Sequence, residues 1–379
     1  MKLKTLTLKG FKSISEVGAS LHFGDITILL GANGVGKSNV VSFFSMLNYM
    51  LNGNLQTYLA EQGFADSILY YGAKQTRQIQ ASIDFTDNKL QNAYRFTLSH
   101  AAGDILIFAE EQLVYQQKEE LPASTIEFTP AAREANLLQY VKRKDITLAQ
   151  EQAAKFVLQL LQQCRVFHFH DTSLSAKIRL QGYIGDNQAL NSDAGNLAAF
   201  LYRLKEGADT LKYYDRIVRY IQKVMPQFGD FDLFPDSRNT NYLTLNWRDK
   251  YQPQYLFGAH QISDGSLRFM ALATLLLQPP HLLPKVIVLD EPELGLHPSA
   301  IGYLAGMIKS ASQHAQILIA TQSQRMVDEF DLENIVVVEH DKRTHSTFFS
   351  YKTEAELVDW LEEYSLSELW EKNVIGGQP

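Results

Sequence analysis

Apolar and polar residues alternate from Met1 to Leu8 as they do in a half-buried strand, and a second short strand is expected near Ala19 to Phe23. The pattern then changes. Asp25 to Leu30 is a continuous β-rich apolar run, the mark of a strand buried on both faces, and after it Val40, Phe43, Phe44, Leu47 and Leu51 recur at helical spacing. Alternation returns with Ile79, Ala81, Ile83 and Phe85 on one face and Tyr94, Phe96 and Leu98 on another. Ala101 to Asp104 turns the chain into Ile105 to Phe108, which predicts an antiparallel meander. From Pro130 the period is helical. Ala131 to Lys144 and Leu148 to Gln163 read as two helices forming a short arm.

Arg165 to His170 reads as a strand with His168 and His170 on one face and two phenylalanines on the other. Helices are expected over Ala194 to Lys205, capped from Asn191-Ser192-Asp193, over Thr210 to Val224, stopped by Pro226, and over Leu267 to Leu277. Lys285 to Asp290 and Ile317 to Ala320 are again continuous apolar strands. Strands near Ile335 to Val338 and Thr347 to Ser350 and a helical tail close the chain. The expectation is an α/β fold in four stretches. A core lobe covers 1–115, the two-helix arm 116–165, a helical second lobe 166–280, and 281–379 completes the core.

Two of the buried strands end in chemistry. The first runs into Gly31-Ala32-Asn33-Gly34-Val35-Gly36-Lys37-Ser38 and then a helix. Glycines there let successive backbone N–H groups point inward at phosphate oxygens, and the helix N-terminus adds partial positive charge. Lys37 is placed for the β- and γ-phosphates and Ser38 for Mg²⁺. The other strand delivers Asp290-Glu291-Pro292-Glu293 at its carboxyl end, where ligands gather in open α/β sheets. Asp290 is expected to hold Mg²⁺ and Glu291 to orient the attacking water, the positioning work phosphoryl transfer needs. The adjacent pairs Glu110-Glu111 and Glu362-Glu363 read as solvated surface. With Asp171 as the nearest third ligand, His168 and His170 read as a polar strand face or site lining before a metal site.

Composition narrows this picture little. The chain of 379 residues is 45% hydrophobic and 20% charged, enough for a large core. A single cysteine, Cys164, excludes disulfides within the chain and suits a cytoplasmic location, and no apolar run approaches membrane-spanning length. The formal charge of -7 argues against a general nucleic-acid coat, and leaves Lys142-Arg143-Lys144 as a local basic stretch.

Further motifs stand in a telling order. Ile262-Ser263-Asp264-Gly265-Ser266 opens a helix; Leu294-Gly295-Leu296-His297-Pro298 follows the acids; Thr321-Gln322-Ser323 tips the next strand. Together with Phe11-Lys12-Ser13, the asparagines flanking the glycine loop and the tail Trp370 to Gly377, this order resembles the RecF/SMC-like branch of the ATP-binding-cassette ATPases. It looks like stand-alone prokaryotic members related to the ATPase half of OLD nucleases and to anti-phage ATPases. The resemblance implies an ABC-type head with a P-loop sheet core, an antiparallel β-meander and a helical second lobe. It implies ATP and Mg²⁺ as cofactors, with Lys12, Asn33, Gly34, Val35, Gly36, Lys37, Ser38 and Asn39 around the nucleotide. Ser263 and Gly265 would face the γ-phosphate of a second copy in a head-to-tail dimer. Gln322 would occupy the switch position, where histidine is usual, and Asp264 stands where glycine is usual. His170-Asp171 is the candidate for the glutamine loop.

The implied role is ATP hydrolysis coupled to dimer closure, in DNA repair or anti-phage defence, with a separate nuclease or effector, possibly TOPRIM-like, and with DNA as a possible ligand. The alternatives are an ATP-loaded scaffold or sensor with little turnover and, less favoured, a transporter motor subunit. On its own Ser263 reads as a helix N-cap worth about 1 kcal/mol.

Overall fold

Continuous apolar runs become the central sheet. The computed structural model describes residues 2–87, 90–116, 122–235 and 239–378. Six strands lie in the order Ser346–Ser350, Ile335–Asp341, Ile26–Leu30, Gln316–Thr321, Val286–Asp290 and Cys164–Phe167. All neighbours are parallel except the terminal hairpin, so both faces are covered, as parallel sheets require. The two-residue period of the strands sorts their side chains into two cores. Ile28, Leu30, Ile287, Leu289, Ile317 and Ile319 face one of them. Leu29, Val286, Val288, Leu318 and Ala320 face the other.

The second of these faces is covered by the loop helix Lys37–Met50 and by a six-stranded antiparallel sheet. Its strand order is Ala19–His22, Lys2–Lys9, Gln78–Asp87, Leu90–Ala101, Ile105–Tyr115 and Ser124–Glu127, the meander expected from alternation. The pairing of Lys2–Lys9 slips between Leu3 and Thr5, where the apolar spacing in the sequence also breaks from two to three. The first face is covered by helices Leu197–Glu206, Leu211–Val224, Asp264–Leu277 and Pro298–Ala311, which form the helical lobe and its junction with the sheet.

Four expectations are corrected. Ala131 to Lys144 holds one helical turn, Leu137–Tyr140; before it Ala132 bridges Phe108 and Ala131 takes a positive φ. The cause is Glu111, whose carboxylate accepts the backbone N–H groups of Asn136 (2.8 Å) and Leu137 (3.0 Å) and the hydroxyl of Tyr94 (2.7 Å). Glu111 is therefore 2% exposed and no surface acid, and burial raises its pKa. The helix Leu148–Gln162 forms as expected, closed by a Thr147/Gln150 capping box. It does not project as an arm, because Ala154, Val157 and Leu161 are buried in the core beside the loop helix. Residues 117–121, at the start of the expected arm, lie outside the described residues. The fourth correction is small: the helix expected from Ala194 begins at Leu197, and Asn196 donates its side-chain amide to the Asp186 and Ala189 carbonyls. No helix among the described residues is long and apolar enough to cross a membrane.

Candidate functional site

Strand order brings the two motifs together. The glycine-loop strand and the acid strand both flank Gln316–Thr321, so Gly31, Asp290 and Gln322 emerge at the same sheet edge. Lys37 is buried, and its ammonium donates to the Gly31 (2.7 Å) and Ala32 (2.8 Å) carbonyls of its own loop. Burial lowers its pKa, opposed by the charges of Glu291, Asp290 and Glu293 nearby. Within the loop, Asn33, Gly34 and Ser38 are exposed, while Val35 and Gly36 are buried. Gly36 has φ +112°, and a Cβ there would stand 2.3 Å from Thr347 Oγ1, so glycine is required by both conformation and space.

The loop is braced from outside by residues far away in sequence. Thr347 Oγ1 donates to the Val35 carbonyl (2.7 Å) and lies 2.7 Å from Ser13 Oγ, which also accepts the Asn39 amide (2.6 Å). The Ala32 N–H donates to the Gly377 carbonyl of the tail (2.9 Å). Lys12, with φ +48°, points its ammonium at Ser42 Oγ (2.5 Å), one turn beyond Ser38 on the loop helix, and burial lowers its pKa. In this arrangement it lies on the helix and not on the glycine loop.

Opposite the loop, Asp290 Oδ1 is buried without a hydrogen-bond partner, and burial raises the pKa of that carboxyl. Glu291 takes a left-handed φ of 41°, held by its N–H to the Ala320 carbonyl (2.8 Å), a strained conformation of the kind found where a side chain must be aimed. Its Oε1 accepts the Gln322 amide (3.1 Å). Glu293 is the third acid of the strand tip. Thr321 Oγ1 donates to it, its Oε2 has no partner, and burial pushes its pKa up to about 7. The orphaned Asp290 Oδ1 at the strand tip is a hard oxygen donor of the kind that suits Mg²⁺.

The Ser263 motif stands at the start of helix Asp264–Leu277. Ser263 caps that helix through the Ser266 N–H (3.2 Å). Gly265 faces Gly295, whose carbonyl oxygen would lie 2.4 Å from an added Cβ, so its small size is needed within the subunit. Asp264 is held by Arg179, whose guanidinium donates to its Oδ1 (2.7 Å) and to the carbonyls of Thr172 (2.7 Å), Ala259 and Ile262 (3.0 Å). Hydrogen bonds from Thr172 and Arg179 hold the Asp264 carboxyl below its ordinary pKa.

Comparison with known proteins agrees with this geometry. A family model described as "AAA domain, putative AbiEii toxin, Type IV TA system" matches residues 26–328. The chain belongs to this family. This AAA-family chain has the fold of an SMC head. It is similar to an SMC head bound to the C-winged helix domain of ScpA, with 14% identity, a TM-score of 0.55, and coverage of 92% of this chain and 98% of that one. An SMC head with an extended coiled coil bound to the C-terminal domain of ScpA, derived from Pyrococcus furiosus, gives 14% identity, a TM-score of 0.56, and coverage of 96% and 99%. The SMC head of Thermotoga maritima gives 14% identity, a TM-score of 0.50, and coverage of 93% and 100%. No curated protein matches the chain at a significant level.

Sequence reasoning missed Arg179, Glu293, Thr347 and Gly377. Glu293 carried a signal in the Asp-Glu-Pro-Glu run. The others act across long chain separations and have no local pattern. Of the glutamine-loop candidates His170 and Asp171, His170 lies beside Asp290, while the Asp171 carboxylate accepts the Ser173 N–H (3.1 Å). Of Lys142-Arg143-Lys144, Arg143 is tied to Asp145 through Nε (2.9 Å) and lies over the Tyr140 ring.

Proposed function

We propose that this chain binds and hydrolyses ATP, and that two copies close head to tail with two ATP at their interface. The observation that carries this reading is the meeting of the glycine loop with Asp290, Glu291 and Gln322 at one sheet edge. In this reading the loop amides and Lys37 hold the phosphates, and Lys37 exchanges its loop carbonyls for phosphate oxygens. Ser38 and Asp290 would hold Mg²⁺, which neutralises charge on the phosphates. Glu291 accepts a hydrogen bond from the attacking water and aims it at the γ-phosphorus. Gln322 fixes the Glu291 carboxylate and offers its amide to the γ-phosphate. Asn33, Gly34, Val35, Gly36 and Asn39 shape the cradle, and Lys12 stands at its edge.

Ser263 and Gly265 of one copy would meet the γ-phosphate bound by the other. Asp264 in that motif is tolerable because Arg179 offsets its charge. The SMC heads similar to this chain are described as bound to ScpA, which supports assembly with a protein partner. The work we assign is DNA repair or anti-phage defence with a separate nuclease or effector. The family's description as a toxin of a type IV system fits a role in such conflicts. Phosphate release under multiple turnover, with and without DNA, tests the assignment. Steady turnover abolished by Lys37→Ala supports it, and its absence under all nucleotide and metal conditions overturns it.

One observation favours a second reading, an ATP-loaded scaffold that holds and releases an effector. Gln322 can hydrogen-bond a γ-phosphate oxygen but cannot carry the charge of a histidine, which slows hydrolysis. A single burst of phosphate release followed by a stable nucleotide complex would select that reading.

A further inference from the structure

His168 and His170 follow strand Cys164–Phe167, and their side chains keep its alternation: Phe167 and Phe169 are buried in the core while both imidazoles turn the other way. The parallel neighbour of that strand is Val286–Asp290, so the imidazoles arrive beside the acid at its tip. One ligand atom from each of His168, His170 and Asp290 lies within 4.8 Å of the others. A cation with bonds of about 2.1 Å spaces its ligands about 3–4 Å apart, which small rotamer changes at exposed His168 would provide.

The main chain on either side of the imidazoles is fixed. The His168 N–H donates to the Ser192 carbonyl (2.9 Å), and Arg268 donates to the His170 carbonyl (2.8 Å). The third side chain, Asp290, has its Oδ1 buried without a partner.

We infer that His168, His170 and Asp290 form a binding site for a transition divalent cation such as Mn²⁺, Co²⁺ or Zn²⁺, filled without nucleotide. Imidazole nitrogen binds these borderline ions well, whereas Mg²⁺ keeps oxygen ligands and several waters. The site shares Asp290 with the position proposed for Mg²⁺, and two neutral nitrogen donors change which ion that edge prefers. The claim concerns the ion alone and does not depend on the ATPase reading.

The test is Co²⁺ titration of the full chain, purified without a polyhistidine tag or nucleotide and followed by visible ligand-field absorption. One equivalent of Co²⁺ is expected to give a band that Zn²⁺ displaces and excess Mg²⁺ does not. His168→Ala and His170→Ala lose the band, and His314→Ala, at an exposed distant site, retains it. A wild-type protein without a band, or a His168→Ala/His170→Ala double variant that binds Co²⁺ unchanged, overturns the site. Should a variant fold poorly by circular dichroism, the wild-type band and its competition with Zn²⁺ and Mg²⁺ decide alone. A fluorescent ATP analogue titrated into the same samples separates the readings. Co²⁺ uptake without nucleotide binding overturns only the ATPase assignment, and nucleotide binding without Co²⁺ uptake overturns only the metal site.

Discussion

Gln322 Nε2 lies 3.1 Å from Glu291 Oε1, joining the tips of two adjacent parallel strands across the sheet edge. The amide is the donor, so the carboxylate is held in one orientation with its other oxygen left for a second partner. Gln322→Ala is therefore expected to lower kcat by about ten- to a hundredfold while nucleotide affinity changes little. Gln322→His, which restores a donor and can also carry a charge, is expected to recover the loss and to match or exceed the wild-type rate. Single-turnover phosphate release alongside nucleotide titration checks both, and an unchanged kcat in the alanine variant removes the positioning role.

Arg179 and Asp264 make the next contrast. The buried guanidinium satisfies three carbonyls besides the carboxylate, whereas the Asp264 side chain is largely exposed. Arg179→Ala is expected to cost about 2–4 kcal/mol in urea unfolding, because buried acceptors lose their donor. Asp264→Asn gives up only an exposed pairing and is expected to cost under about 1 kcal/mol.

Burial raises the Glu293 pKa to about 7 from an ordinary 4.5, so the folded protein holds this proton over a range where the unfolded chain has released it. Its contribution to stability is then greatest below about pH 4.5 and is lost as pH rises through about 7. Glu293→Gln removes the titration. It is expected to stabilise the protein by about 1–3 kcal/mol at pH 8 and by little at pH 4.5. Denaturant melts at the two values check the sign.

The tail reaches the glycine loop through the Gly377 carbonyl and the Ala32 N–H. Truncation after Gly376 removes that bond and keeps both helix Leu366–Glu371 and Ile375, which is buried in the core. One lost hydrogen bond of about 1 kcal/mol predicts about fivefold weaker ATP binding, measurable with a fluorescent analogue.

Much of this was legible in the sequence because its signals are local. An apolar run ending in glycines or acids names both the strand and the chemistry at its tip, as at Leu30-Gly31 and Leu289-Asp290. Alternation likewise announced the meander. The single turn at Leu137–Tyr140 was not legible, since its helical period is overruled by Glu111, a strand residue that anchors the backbone at Asn136 and Leu137. Nor could Asp264 be weighed without Arg179, which is 85 residues away. His168 and His170 were visible as a pair, but their third neighbour, Asp290, follows only from strand order. Local pattern sets elements, and long-range pairing sets what the polar groups among them do.

The most direct measurement is sedimentation velocity of Glu291→Gln with ATP and Mg²⁺, taken together with its phosphate release. The account predicts retained ATP binding and turnover lower by orders of magnitude, because the aiming carboxylate is gone. It also predicts an ATP-dependent rise in the dimer fraction that Ser263→Arg abolishes by crowding the opposing phosphate. A Glu291→Gln protein that hydrolyses ATP at the wild-type rate and sediments identically with and without nucleotide would contradict it.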